Sequence, residues 1–575
     1  MNFSKTHTWT PAGDCPPGAL APLWCPEGLV LLGGPLEDDH NSADQDETRC
    51  IADSTPGQSL SRGWFEKRVE KMRTDCELLQ ALAARAPGQF PALQIALQLL
   101  VFCVAPRADH LLRMVPPGVS GELAGSVDQL LLECTNQLFG FELDPARAAQ
   151  IQWRLGDGGL GIRRRGGPHA SAAWLASWAQ CYEGVRRGTS WEITSLAEAA
   201  PGSLSERIRR AAEDVRDHGA RGAETLLDVG LWRSFARRPA PGLQRSLRHA
   251  LETASRDAWW ATVPTELAAM AGSGSGWCAG AALLRPPTER LLQLPDRDVR
   301  IAVCERLCVD LAGQQECEHV SRTGRRCGYL LRGGAHVHCC GGTAGVRTTR
   351  RHNPLVQEFA RILSAAGHHV ATEQRDPTMG PHARLDVVEY ASDAGSPAAY
   401  DVSVVTPLRA DGDFREACAA EPGLAALERH DYKLSRQYRG RLPGAALVPL
   451  VAEIGGRWHP SVPRLVRRLA KECEARSGAA ASSGNFAAAL TARWGARLSA
   501  LVIRGNAAVH CKCRPAQPPD PRPWHAEAVP LPHLLPEGSC AFELLCLPQI
   551  PDSSMTVRAR AGGGRLGGSA RRARW

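Results

Sequence analysis

Two aspartates interrupt short strand-like runs: Asp386 in Arg384-Leu385-Asp386-Val387-Val388 and Asp401 in Tyr400-Asp401-Val402-Ser403-Val404-Val405. Carboxylates at the same end of adjacent strands can share a hard divalent cation, which keeps water ligands and polarises a phosphodiester. β-Branched residues dominate both runs, and Ala391-Ser392-Asp393-Ala394-Gly395-Ser396-Pro397 between them is turn material, so the pair reads as a hairpin, and its register decides where the acids point. A second constellation lies just upstream. Cys317, Cys327, His336 and Cys340 form a Cys3His set able to close a tetrahedral zinc site of three thiolates and one imidazole. The spacing is irregular for a zinc finger. Cys339 and His338 compete for the last positions, Cys304 and Cys308 for that of Cys317, and the fourth ligand is Cys339 or Cys340.

Helices and strands must hold these groups. His352-Asn353-Pro354 reads as a helix start, with Leu355, Phe359 and Ile362 on one face and Glu358 on another, turned toward the acids. A strand over His369 to Glu373 follows, then the acidic hairpin, then a helix from Leu424 to Tyr438 carrying Lys433. The order is helix, strand, strand, strand, helix.

That order resembles the core of the PD-(D/E)XK nucleases. Taken with Arg350-Arg351-His352-Asn353, Leu385-Asp386, Asp401-Val402-Ser403-Val404-Val405-Thr406-Pro407 and Lys433 followed by Tyr438, it resembles more closely the restriction-like endonuclease of non-LTR retrotransposon polyproteins. Leu385 stands where that family has proline, and Ser403 where the wider nuclease group has lysine. The family's Cys-Cys-His-Cys knuckle has its counterpart immediately upstream, joined through Gly341-Gly342. Pro449-Leu450-Val451 and Gly455-Gly456-Arg457-Trp458-His459-Pro460 resemble its closing segment. Further upstream, Leu31 to Leu36 resembles the end of a reverse-transcriptase palm, Gln94 to Pro117 the thumb, and Leu155 to Arg163 with Ala172 to Trp178 the following linker. The glycines of that linker read as a turn, because no Lys-Ser or Lys-Thr follows them as in a phosphate loop.

The resemblance implies a multidomain chain. Residues 1–61 are an irregular segment with the end-of-palm-like strand, 62–299 an α-helical thumb and linker region, 300–345 the zinc knuckle, 346–475 an α/β restriction-endonuclease-like domain, and 476–575 a partly disordered basic tail. It implies Mg2+ (or Mn2+) between Asp386, Asp401 and the Val402 carbonyl with Glu358 assisting, Lys433 as the displaced catalytic lysine, and Zn2+ at the knuckle. Arg325, Arg326, Arg350, Arg351, His352 and Asn353 would contact DNA, with the element's own RNA as a further partner. The expected function is a nicking DNA endonuclease region working in the nucleus; the alternative is a catalytically inactive, zinc-dependent nucleic-acid-binding remnant. No Tyr-x-Asp-Asp turn exists to hold polymerase metals, so no polymerase activity is expected.

Composition agrees with this reading. The 575 residues carry a formal net charge of +8, modest for the length, so its placement matters more than its sum. Arg322, Arg325, Arg326, Arg332, Arg347, Arg350 and Arg351 crowd the knuckle, Arg464, Arg467, Arg468 and Lys471 follow the nuclease-like core, and arginines end the chain. Twenty cysteines in a long chain without a hydrophobic leader suggest reduced thiols and metal, hence an intracellular compartment. The apolar run Leu93 to Ala105 is too short to cross a bilayer, and no membrane role is expected. Gly272 to Gly280 reads as a small-residue linker, and His510-Cys511-Lys512-Cys513 as a weak metal motif without a second pair.

Overall fold

The computed structural model describes residues 29–31, 34–36, 56–85, 91–189, 192–237, 242–310, 316–321, 323–329, 336–375, 384–390, 397–440, 445–477 and 485–513. The hairpin turn over 391–396, Arg322, Arg332, the acidic stretch at 37–47 and the arginine-rich end after 513 lie outside the described residues. The described chain is mostly helical, with one four-stranded mixed sheet and a short antiparallel pair, β1 (Leu29–Leu31) and β2 (Gly34–Leu36).

Helices dominate up to residue 306. Pro56–Arg85 packs on Pro117–Phe139, whose start has proline in its first turn and whose end is Gly140 at φ 72, the left-handed residue that stops a helix without a Cβ clash. Met72, Leu79, Leu97, Leu130, Leu131 and Leu138 form one core. Trp174, Tyr182, Ile208 and Trp232 form another among the helices from Pro168 to Trp260. The tryptophans Trp174 and Trp259 are buried in such cores, as packing rather than as platforms for bases.

The sheet runs β3 (Val370–Arg375), β4 (Arg384–Glu389), β5 (Ala398–Val405), β6 (Ala446–Glu453). Its first three strands pair antiparallel, while β5 and β6 pair in parallel, so the chain must cross over between them. That crossover holds the helices Gly412–Ala420 and Leu424–Tyr432. Alternation sends Val387, Tyr400, Val402, Leu450 and Ala452 into a core with Leu355, Phe359, Ile362, Val462, Val466 and Leu498, from the helices Asn353–Ala365, Ser461–Ser477 and Phe486–Cys513. Asp386 and Asp401 therefore leave the sheet on its other face.

Two expectations fail, for physical reasons. The residues read as a small-residue linker are buried: Thr265–Ser273 is a helix, and Gly276 N–H donates to Gly156 O at 2.7 Å in the glycine-rich turn upstream. On its other side Arg457 N–H donates to Ser273 O at 3.0 Å, and a Cβ on Gly455 would stand 2.4 Å from the Ser273 backbone. Small residues are there so that three backbone segments can touch. The tail, in which a helix from Phe486 to Ile503 is expected, is not loose where it is described: the helix runs Phe486–Cys513 and inserts Leu498 and Val502 into one core and Val509 into another. By length and composition alone, Ala92–Met114 and Phe486–Lys512 are apolar enough to cross a membrane; here about half of each is buried within the protein.

Candidate functional site

The antiparallel register of Val387 with Tyr400, carried on by one residue, sets Asp386 opposite Asp401. The two carboxylates are 8 % and 7 % exposed, deep enough that they need compensating donors. Asp386 Oδ2 accepts the Val402 N–H at 2.7 Å, so a side chain takes the place of a ladder bond and the carboxylate is oriented by the neighbouring strand. Asp401 is ion-paired with Lys433, which is 1 % exposed and also reaches the Asp401 carbonyl at 3.4 Å.

Lys433 gets there by a change of helical pitch. The α-helix Leu424–Tyr432 gives way to a π-turn over Lys433–Gln437, closed by Tyr438 N–H to Lys433 O at 3.0 Å. The N-terminal end of that helix is fixed by buried Glu453 of β6, which accepts the Ala426 N–H at 3.2 Å. Burial lowers Lys433 to about 8, opposed by the charge of Asp386. Tyr438 is raised by burial, with the Asp386 charge acting in the same direction.

A second π-turn, Arg347–His352, leads into Asn353–Ala365, so the helix begins before the expected start. Pro354 has no N–H to donate, and its ring would crowd the carbonyl four residues back; the wider pitch relieves both. His352 is thereby brought to Asp386, with Nε2 3.2 Å from Oδ2, while Nδ1 lies 3.2 Å from Asn353 Oδ1. Burial works against the imidazolium, but Asp386 and Asn353 outweigh it and His352 is raised. Glu373 completes this corner: the ligating atoms of His352, Glu373 and Asp386 lie within 4.8 Å of one another. Sequence reasoning gave His352 a positioning role and missed Glu373. The available signal was its place at the end of β3, one strand from Asp386.

Two expected site residues are elsewhere. Glu358 does not face the acids; it is 2 % exposed and grips Arg497 at 2.5 and 3.0 Å, with Arg361 beside it. The helix carrying Glu358 lies on the apolar side of the sheet, and Arg497 comes from Phe486–Cys513, which was not expected to pack there. Arg351 is buried and donates to His338 Nδ1 at 3.1 Å and Asn506 Oδ1 at 3.2 Å, so it is structural rather than a nucleic-acid contact. Arg325, Arg326 and Arg350 are exposed.

Cys317, Cys327, His336 and Cys340 converge, their ligating atoms within 4.8 Å of one another, as a Cys3His cluster able to hold a metal ion such as zinc. Cys317 and Cys327 are set by a two-stranded arch in which Cys317 N–H donates to Tyr329 O at 2.7 Å and Cys327 N–H to His319 O at 2.8 Å. His336 and Cys340 share one tight turn, Cys340 N–H donating to His336 O at 2.9 Å. Cys339 is exposed and Cys308 donates to the Glu266 carbonyl at 3.6 Å, and neither belongs to the converging set. Burial pushes the Cys317 thiol up to about 11, so without a cation that thiol is protonated at neutral pH, and metal uptake must release its proton. Stripping bound metal with a chelator should lower the melting temperature, and the apparent metal affinity should fall about tenfold or more per pH unit below pH 7, read by competition with a colorimetric indicator.

Behind the knuckle lies a buried polar hub. His338 Nε2 and His510 Nε2 each lie 2.6 Å from Glu305 Oε1, and Asn506 Nδ2 donates to Oε2 at 3.1 Å. Because Arg351 can only donate, His338 Nδ1 accepts and its Nε2 carries the proton given to Glu305, which leaves no lone pair there for a cation. The hub is a hydrogen-bond network, and His510 belongs to it rather than to a metal motif.

A smaller clasp closes the far end of the sheet. His368 Nδ1 and Nε2 lie 2.6 and 2.8 Å from Glu389 and Glu472, and Tyr400 donates to Glu389 at 2.6 Å. Burial opposes protonation of His368, but the two carboxylates prevail and its folded pKa is raised. The stability it contributes is full below the unfolded value of about 6.5 and is lost as pH rises through the folded one. Melting temperature should therefore decline from about pH 6.5 upward, less so in His368→Gln, as followed by circular dichroism.

Neither a protein-family model nor a curated protein sequence matches this chain.

Proposed function

We propose that this chain is a metal-dependent DNA-nicking endonuclease region, similar to the restriction-like endonuclease of non-LTR retrotransposon polyproteins, and that it acts in the nucleus. The observation that carries the reading is Asp386 opposite Asp401 on adjacent strands, with Lys433 delivered to Asp401 from a third element. Two buried carboxylates on adjacent strands offer oxygen donors suited to a hard cation. Asp386 and Asp401, with the Val402 carbonyl, would hold Mg2+ or Mn2+. Such an ion supplies Lewis-acid polarisation of the phosphodiester and acidifies water.

The chain's own groups do the rest. The Val402 N–H and His352 fix the direction of Asp386, so its charge is aimed before substrate arrives. Lys433 places a desolvated ammonium beside Asp401, where it offsets the negative charge that builds on the phosphate. Zn2+ at Cys317, Cys327, His336 and Cys340 would stiffen the arch that presents Arg325 and Arg326, which with Arg350 neutralise backbone phosphates of DNA or of the element's RNA.

Nicking of supercoiled plasmid by the full chain in Mg2+ or Mn2+ tests the proposal. Wild type should nick, and Asp386→Asn and Asp401→Asn should each slow nicking on the order of 10³-fold. Folded, zinc-loaded wild type that binds DNA in a salt-sensitive way and leaves the plasmid intact would overturn it in favour of the inactive binding remnant.

A further inference from the structure

We infer that Glu373 is a cation ligand, and that His352, Glu373 and Asp386 hold a second divalent ion of the Mn2+ class beside the one assigned to Asp386 and Asp401. The inference rests on the reading of Asp386 as a ligand and adds to it a site with different chemistry.

Three observations carry it. The first is the convergence of one imidazole nitrogen and two carboxylates within 4.8 Å from three elements: the π-turn before Asn353, β3 and β4. The second is how the imidazole and Asp386 are held from behind. His352 Nδ1 faces Asn353 Oδ1 at 3.2 Å, so that N–H is donated backward, and Nε2 stands 3.2 Å from Asp386 Oδ2, where an incoming cation would displace the proton that the two share. Val402 N–H holds Asp386 Oδ2 in the same manner. Metal-ligating histidines and carboxylates are oriented by outer hydrogen bonds of this kind. The third is the backbone. The β3–β4 ladder pairs Thr372 with Val387 and Gln374 with Leu385 but omits Glu373 with Asp386, and Glu373 has φ 55, a left-handed conformation that a glutamate adopts only under constraint. The kink breaks the ladder at the one position where a regular strand would set Glu373 directly across from Asp386.

The donor set disfavours one ion. An imidazole with two carboxylates suits Mn2+ better than Mg2+, which favours oxygen ligands alone. Asp386 would then be shared by two ions, the arrangement that clamps both the attacking and leaving oxygens of a phosphodiester.

Direct Mn2+ binding separates this inference from the nuclease reading. In the zinc-loaded full chain, free Mn2+ is followed by electron paramagnetic resonance and heat by titration calorimetry, for wild type, Glu373→Gln and Asp401→Asn, each checked for folding by circular dichroism. Wild type should bind two Mn2+, and Glu373→Gln should lose one of them or bind it at least tenfold more weakly. Mg2+ should compete for the Glu373-dependent site at least tenfold less well than Mn2+. Unchanged stoichiometry and affinity in Glu373→Gln, or no Mn2+ uptake by wild type, overturns the inference. If Asp401→Asn alone loses an ion, the second site fails and the nuclease reading stands. Glu373-dependent uptake without nicking leaves the site standing and removes the nuclease.

Discussion

Lys433→Met should destabilise the metal-free protein by about 3–5 kcal/mol, the range expected when one partner of a buried ion pair is removed. The lysine is 1 % exposed and its head group is paired with Asp401, which itself stands opposite Asp386. Taking it away leaves Asp401 without its counter-charge in a dry site, facing the second carboxylate, Asp386. A divalent cation can replace what the lysine supplied. Mn2+ should therefore raise the urea midpoint of Lys433→Met by more than it raises that of wild type. Nicking should slow on the order of 10²–10³-fold, because a cation that restores the fold does not restore a positive charge beside the phosphate. Equal midpoints for variant and wild type without metal would show that the pair carries no structural weight. Lys433→Arg should not rescue, since a planar guanidinium does not fit a space filled by one point charge.

The parts of this arrangement that could be read in the sequence are those set by local pattern. Asp386 and Asp401 sit in runs that read as neighbouring strands, while the register that sets them opposite each other is supplied by the folded ladder. Cys317, Cys327, His336 and Cys340 were legible as a Cys3His set from residue types gathered in one short segment, while their rivals were separated from them only by the fold. Glu358 misled because helical periodicity reports which residues share a face but not which neighbour covers that face. Arg497, 139 residues away, covers it. Glu373 was hidden for a related reason: its direction comes from a broken ladder and a left-handed φ, neither of which a glutamate advertises. Pitch changes are equally silent. Both π-turns that deliver His352 and Lys433 interrupt patterns that read as ordinary α-helix.

The helix Phe486–Cys513 shows the same limit at larger scale. It looked detachable because Gly478 to Ser483 precedes it and proline-rich sequence follows, yet it supplies Arg497 to Glu358, Asn506 and His510 to Glu305, and Val509 to the knuckle core. A fragment ending at 475 would leave each of those buried partners without its donor. The knuckle and the sheet are coupled through this helix, and the coupling passes through one carboxylate.

That carboxylate gives the second large effect. Glu305→Ala should destabilise the protein by about 3–5 kcal/mol, and Glu305→Gln by less. Burial alone would raise Glu305, yet the imidazoles of His510 and His338 hold it well below the usual carboxylate range, so it is charged in the folded protein. Burial holds His338 at about 4, with Glu305 opposing, so that ring is neutral at pH 7; it stands between Glu305 and Arg351, whose guanidinium is favoured by the Glu305 charge. Alanine leaves that guanidinium buried without a counter-charge and strands the N–H groups of two imidazoles and Asn506. Glutamine keeps one acceptor for the two imidazoles and loses the charge together with the acceptor that Asn506 Nδ2 uses. The damage should also reach the acid site, because Arg351 precedes His352, whose ring orients Asp386. Urea midpoints order the three proteins, and hydrogen exchange locates the loss: amides of Phe486–Cys513 and of the 336–352 segment should exchange faster together in Glu305→Ala, while those of Pro168–Thr189 should not change. Midpoints within about 0.5 kcal/mol of wild type would mean that water satisfies the hub as well as Glu305 does.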